Sequence, residues 1–94
     1  MTHNELNAAY QFPATRFTRN SHWRQWWHLV SEVLEVGRAL LAGDLQHAAA
    51  ELWDVKHSSE TLHRIMEQRQ VDVEVAQSKV LSNNKKRGYY LDRP

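Results

Sequence analysis

The fold of this chain is decided by residues 21–68, which read SHWRQWWHLVSEVLEVGRALLAGDLQHAAAELWDVKHSSETLHRIMEQ. Before Gly43, apolar residues recur at three- and four-residue steps, which is the spacing of one face of an α-helix. After Asp44 a second apolar stripe runs with equal regularity to about Gln68. Ser21 and Asp44 are suitable helix N-caps, and Gly43 is a suitable left-handed stop. The stretch therefore predicts two long helices that a tight turn makes antiparallel.

The flanking sequence carries weaker patterns. A third, shorter helix with fewer apolar residues is predicted over about residues 72–84. Residues 1–20 lack sustained periodicity and predict an irregular N-terminal arm, whereas 21–90 form the helical domain and 91–94 a tail. No strand pattern is visible, so the predicted fold class is all-α.

The first helix carries more apolar surface than a short third helix can cover. Its stripe comprises Trp23, Trp26, Trp27, Val30, Val33, Leu34, Leu40 and Leu41. A chain of 94 residues also buries little apolar area by itself. A second subunit completing a four-helix bundle is the economical solution, which predicts a homodimer or tetramer.

Composition excludes several classes of function. The chain has no Cys, which removes disulfides, thiolate zinc sites and Cys nucleophiles. A net charge of +1 is too small to favour nucleic acid as a partner through bulk electrostatics. The sequence shows neither a basic, apolar leader nor a run of ~18 apolar residues, so a cytoplasmic protein without a membrane partner is expected.

Two acidic pairs carry the chemistry. Glu32 and Glu35 are three residues apart on the first predicted helix, and Glu51 and Asp54 have the same spacing on the second. Residues at i and i+3 share a helix face, and the turn folds the second pair towards the first. Four converging carboxylates repel each other unless a hard cation neutralises them, and Mg²⁺ fits best, with Mn²⁺ as a substitute. The alternative is that these acids form an ordinary solvated face, because both residues of the first pair lie opposite the apolar stripe on a helical wheel.

Three segments together resemble one family. They are SEVLE at 31–35, ELWDV at 51–55 and VLSNNKKRGYY at 80–90. The set is similar to the MazG-like all-α nucleoside triphosphate pyrophosphohydrolases, particularly the short single-domain forms of phages and mobile elements. The resemblance covers about residues 21–90. Ser31 and Asn83 depart from the family pattern, in which a further Glu and a Lys are common.

The resemblance implies Mg²⁺-dependent cleavage of a nucleoside triphosphate between its α and β phosphates, giving monophosphate and pyrophosphate. It also implies that all four acids are metal ligands: Glu32, Glu35, Glu51 and Asp54. Glu35 is the candidate that accepts a proton from the attacking water.

The substrate also needs cations and a stacking surface. The cations near the third helix that could bind the departing pyrophosphate are Lys79, Lys86 and Arg87. A solvated helix C-terminus explains the last two equally well. The candidates for stacking on the nucleobase are Trp23, Trp27 and Trp53.

Two other functions stay open from the sequence. Asp54-x-x-His57 and Glu60-x-x-His63 have spacings similar to those of ligands in di-iron bundles. A non-enzymatic helical adaptor or DNA-binding module could use the basic run at 85–87. That second alternative leaves both acidic pairs without a purpose, since a DNA-binding face should not be lined with carboxylates.

Overall fold

The computed structural model describes residues 10–91 and is helical throughout. A 3-10 turn at Arg16–Arg19 precedes three α-helices, which we name α1 (His22–Leu41), α2 (Leu45–Gln68) and α3 (Val73–Lys86). Over this part of the chain there is no strand, which confirms the all-α class. None of the helices is long and apolar enough to cross a membrane among the residues described.

The helix ends form for the reasons that the sequence predicts. The Ser21 hydroxyl accepts a hydrogen bond from the Arg24 amide at 3.1 Å, and the Asp44 carboxylate accepts one from the His47 amide at 3.0 Å. Gly43 adopts φ +75°, the left-handed conformation that stops α1. The predicted boundaries of the two long helices are confirmed.

The third helix begins where the sequence predicts and ends later than expected. Asp72 accepts a hydrogen bond from the Val75 amide at 2.9 Å. The helix continues to Lys86, past the predicted end at Asn84, and the chain leaves it through Gly88 at φ +73°. The basic run is thus partly helical, with its lysines in the last turn.

The two long helices pack as an antiparallel hairpin. Gln25, near the start of α1, donates a hydrogen bond to the carbonyl oxygen of Ser58 late in α2, while Glu32 in mid-α1 approaches Asp54. We call the line of contact between the two helices the seam. Buried residues along this part of the two helices are Gln25, Val36, Ala39, Ala48 and Ser58.

The seam does not lie along the apolar stripe of α1. Successive helical residues are rotated by about 100°, and several seam positions of α1 are followed directly by exposed apolar residues. These are Trp26 after Gln25, Val33 after Glu32 and Leu40 after Ala39. The helix therefore turns its apolar side about a quarter turn away from α2.

Two faces flank the seam. The apolar face contains a groove of about 300 Å³, lined by Trp26, Leu29, Val30, Val33, Leu34, Val55 and Ser59. The last two of these also line a larger groove of about 520 Å³ between α2 and α3. The opposite side, which we call the polar face, carries His28, Glu32, Asp54 and His57.

Candidate functional site

Three of the four predicted metal ligands meet on the polar face. Glu32 of α1 and the pair Glu51 and Asp54 of α2 each offer a carboxylate oxygen, and these oxygens all lie within 4.8 Å of one another. Glu51 and Asp54 share a face because they are three residues apart, and the antiparallel hairpin brings Glu32 against that face. We call these three residues the acidic set.

Two residues of the acidic set are partly sheltered, whereas the third, Asp54, is exposed. The side chains of Glu32 and Glu51 are 19% and 17% exposed. Burial raises the pKa of Glu32, as does the negative charge of Asp54, and the nearby His28 partly offsets these effects. Glu32 is thus partly sheltered although the helical wheel placed it opposite the apolar stripe, because the seam lies a quarter turn from that stripe. Asp54 is exposed and Glu35 is about half exposed, as the alternative of a solvated acidic face expects.

Two histidines accompany the acidic set, and the sequence analysis missed both. His28 Nε2 lies 3.2 Å from Glu32 Oε1, and His47 Nε2 lies 3.5 Å from Glu51 Oε1. Each pair has the i, i+4 spacing of helix neighbours, so the repeated pattern His-x-x-x-Glu was a readable signal. When protonated, these imidazoles supply positive charge beside the carboxylates.

The fourth predicted ligand stands apart from the other three. Glu35 forms an ion pair with Arg38 at 3.0 Å, and its side chain is about half exposed. It lies three residues after Glu32 on α1, and its negative charge is the smallest of the effects that raise the pKa of Glu32. Its roles as ligand and as proton acceptor stay predictions.

A cavity of about 220 Å³ adjoins the acidic set on the polar face. The hairpin supplies one wall, and the N-terminal arm, through Thr15 and Phe17, supplies another. The hairpin residues that line it are Gln25, His28, Glu32, Asp54, His57, Ser58 and Thr61. The site therefore combines carboxylates, hydroxyls and an aromatic ring in one small space.

The arm is fixed to the outer side of α2. The Glu60 carboxylate accepts hydrogen bonds from the backbone amides of Gln11 and Phe12 at 2.7 and 3.0 Å. Arg64 donates to the Phe12 carbonyl at 2.8 Å and lies 4.1 Å from the centre of the Tyr10 ring. We call these contacts of Glu60 and Arg64 the latch.

Aromatic packing extends the attachment of the arm. Phe12 stacks on His57 with ring centres 4.5 Å apart and meets the edge of Trp53 at 6.0 Å. The Tyr10 hydroxyl donates a hydrogen bond to Glu67, and burial together with that bond raises the pKa of Tyr10. The part of the arm that the structure describes is thus ordered against α2, while residues 1–9 and the tail after Leu91 lie outside the described residues.

The predicted cations and stacking residues lie elsewhere. Lys79, Lys86 and Arg87 are exposed on or just after α3, and none of them lines the cavity. Trp23 and Trp27 are 64% and 65% exposed on α1, again outside the cavity. Their assigned roles stay predictions.

The third predicted stacking residue has partners of its own. The Lys56 ammonium lies 4.2 Å from the centre of the Trp53 ring, and Phe12 packs at its edge. Trp53 does not line the cavity, although the ring of Phe12 connects it to His57, which does. Its role in binding a base also stays a prediction.

Comparison of the chain with protein-family models, with curated proteins and with solved structures finds no match. The assignment of function therefore rests on the residues and on their geometry. The strongest feature is the convergence of three carboxylates from two helices beside a small cavity.

Proposed function

We propose that this protein is a Mg²⁺-dependent nucleoside triphosphate pyrophosphohydrolase, which converts a (d)NTP into a (d)NMP and pyrophosphate. The observation that supports the proposal most is the acidic set, whose carboxylate oxygens lie within 4.8 Å of one another. The resemblance of both acidic motifs and of the basic, aromatic exit to the MazG-like enzymes gives the reaction.

Electrostatics favours a cation at the acidic set. Carboxylates about 4 Å apart repel each other by several kcal/mol at the effective dielectric of a protein surface. Glu32, Glu51 and Asp54 would hold the ion through oxygen atoms alone, which suits Mg²⁺. When bound, the ion supplies neutralisation of the phosphate charge and activation of water.

Side chains of the protein carry out the proton transfer and bind the product phosphates in the proposed hydrolysis. Water adds to the α phosphorus, the bond from the α phosphorus to the bridging oxygen breaks, pyrophosphate leaves with that oxygen, and Glu35 takes the proton of the water. Glu35 suits this role because it is partly exposed and lies three residues from Glu32 on the same helix. Lys79, Lys86 and Arg87 are the proposed contacts for the departing pyrophosphate.

The proposal includes a homodimer formed through the apolar face. Trp26, Val33 and Leu34 are exposed there, beside a groove that is continuous with the one between α2 and α3. A second copy would cover the groove on the apolar face and complete a four-helix bundle, while the polar faces stay open to substrate.

A product assay tests the reaction. Purified protein is incubated with a panel of NTPs and dNTPs and Mg²⁺, and the products are separated by chromatography. Monophosphate and pyrophosphate are expected, with loss of activity in Glu51→Gln and normal activity in Glu74→Gln, which removes an exposed carboxylate from α3. Diphosphate and phosphate as products, or full activity in a Glu32→Gln/Glu51→Gln double variant, would contradict the proposal.

A further inference from the structure

We propose that the N-terminal arm forms the nucleoside subsite of this enzyme, that Phe17 is the residue on which the nucleobase stacks, and that the latch of Glu60 and Arg64 positions it. The proposal rests on the proposed function, because it assigns the non-phosphate part of the same substrate. It moves base recognition from the tryptophans to a segment with no sequence periodicity.

The position of the cavity supports a nucleoside there. Glu32 and Asp54, two members of the acidic set, line it together with Thr15 and Phe17 of the arm. A substrate with its phosphates at the acidic set can therefore place the attached nucleoside against the arm. The volume of about 220 Å³ is below the roughly 300–1,000 Å³ of pockets that enclose a whole drug-sized ligand. It suits one heterocyclic base with the phosphates outside.

Phe17 has the properties of a stacking platform. Its residue surface is 41% exposed although it lines the cavity. Its ring lies at 24° to that of His28, with centres 6.0 Å apart, and the Arg16 guanidinium lies 5.2 Å from the centre of the Phe17 ring, so a base would stack beside or in place of the Arg16 side chain. The Thr15 hydroxyl accepts a hydrogen bond from the Phe17 amide at 3.2 Å, which fixes the 3-10 turn that carries the ring. A preordered aromatic ring binds a base at low entropic cost.

Hydroxyl groups also line the cavity. Thr15 and Ser58 both line the cavity, and each hydroxyl can donate its proton while accepting another bond. The carboxamide of Gln25 donates to the Ser58 carbonyl and accepts from Asn20, so it is oriented by the arm side as well as by α2. These groups could read the edge of a base.

The latch explains why the arm can act as a wall. Arg64 is 5% exposed, and its guanidinium joins a backbone carbonyl and a tyrosine ring of the arm. Glu60 accepts both backbone amides at the start of the described arm. Because both residues bind the backbone and lie away from the cavity lining, they are positioning residues that act through the arm.

Binding of a non-hydrolysable nucleotide tests the role of Phe17. An α,β-methylene nucleoside triphosphate with Mg²⁺ is titrated into the full chain by calorimetry. Phe17→Ala should weaken binding by about tenfold, as expected for loss of one stacked base, whereas Phe17→Tyr should bind nearly as wild type. Inorganic tripolyphosphate, which has no base, should bind the wild type and Phe17→Ala equally.

The competing assignment is tested in the same titration. If Trp27→Ala weakens nucleotide binding while Phe17→Ala does not, the subsite is not formed by the arm. Equal losses of nucleotide and tripolyphosphate affinity in Phe17→Ala would also overturn the proposal, since the ring would then act on the phosphate site. Circular dichroism confirms that each variant is folded.

Limited proteolysis tests the latch without any hydrolytic activity. Arg16 and Arg19 are exposed trypsin sites on the arm. Glu60→Gln should speed cleavage there several-fold and raise KM more than it lowers kcat, while Glu74→Gln should cleave as wild type. The methylene nucleotide should slow cleavage of the wild type and should do so less in Phe17→Ala. Cleavage of Glu60→Gln at the wild-type rate, or no protection by the nucleotide, would overturn the arm as a wall of the subsite.

The two proposals fail in different ways. If the wild type binds the methylene nucleotide through Phe17 but releases no pyrophosphate from any triphosphate, the subsite is supported and the proposed reaction is wrong. If the wild type releases pyrophosphate and Phe17→Ala keeps the same KM, the proposed reaction is supported and the subsite is wrong.

Discussion

The two faces of the α1–α2 hairpin differ in whether other parts of the chain pack against them. On the polar face, the acidic set meets an ordered arm, and the arm is fixed through hydrogen bonds and ring contacts. On the apolar face, exposed residues such as Trp26 and Val33 border an open groove. One face brings carboxylates and an ordered arm together, and the other exposes apolar side chains, which we propose a second copy covers.

A single helix produces this difference. Glu32 and Val33 are neighbours in sequence, yet one lies at the seam beside Asp54 and the other is exposed on the apolar face. Because neighbouring positions are about 100° apart on a helix, α1 can serve a site and an interface at the same time. The comparison predicts that changes on each face have separate effects.

The largest expected effect is on the apolar face. Val33→Asp should raise the dimer dissociation constant by roughly a hundredfold or more, because a charge buried without a partner costs several kcal/mol. Analytical ultracentrifugation of wild type and variant measures this constant. Val71→Asp is the matched control, since Val71 is 48% exposed and Val33 is 51% exposed in the single chain. A wild type that is monomeric and active would show that the apolar face needs no second copy.

The next effect concerns the basic end of α3. Arg87→Ala should lower kcat/KM by roughly ten- to a hundredfold, as expected for one charge-assisted phosphate contact of about 1.5–3 kcal/mol. The melting temperature should barely change, because Arg87 is exposed. Inhibition by pyrophosphate should weaken in parallel. Lys85→Ala is the control, and wild-type kinetics with wild-type inhibition by pyrophosphate in Arg87→Ala would leave the basic run as a solvated helix end.

The smallest effect is on the pH dependence of stability. Glu32 has an ordinary pKa near 4.5, which burial and neighbouring carboxylates raise in the folded chain. Above pH 4.5 and up to the raised value, the folded state therefore binds more protons than the unfolded state, so stability falls as pH rises. In the presence of a chelator, Glu32→Gln should show a shallower fall than wild type in urea unfolding across this range.

A general charge effect would look different in the same measurement. Glu74→Gln removes a carboxylate from the exposed start of α3, away from the acidic set. If Glu74→Gln flattens the pH dependence as much as Glu32→Gln does, the raised pKa of Glu32 has no special part in it.

The sequence contained most of the fold because its signals are local. Ser21, Gly43, Asp44 and Asp72 each act within one helical turn, and the structure shows all four at helix ends. The acidic set could also be predicted from the sequence, since helix spacing and a tight turn suffice to bring two motifs together.

The rest of the site depends on contacts that spacing cannot reveal. The latch joins Glu60 and Arg64 to backbone atoms that lie 48 to 52 residues earlier in the chain. The quarter-turn offset of the seam depends on packing, because small and polar residues such as Ala39 and Gln25 permit a closer approach of the helices than the bulky apolar stripe does. His28 and His47 were readable from their spacing to Glu32 and Glu51, but only the fold shows that these pairs meet.

Direct binding of Mn²⁺ tests the central claim, that the polar face is a divalent-cation site made by the acidic set. Electron paramagnetic resonance measures the free ion as the full chain is titrated, with wild type, Asp54→Asn, a Glu32→Gln/Glu51→Gln/Asp54→Asn variant and Glu74→Gln. Saturable binding is expected in wild type and in Glu74→Gln, with weaker binding in Asp54→Asn, none in the triple variant, and competition by Mg²⁺. Equal Mn²⁺ binding by wild type and the triple variant would contradict the claim.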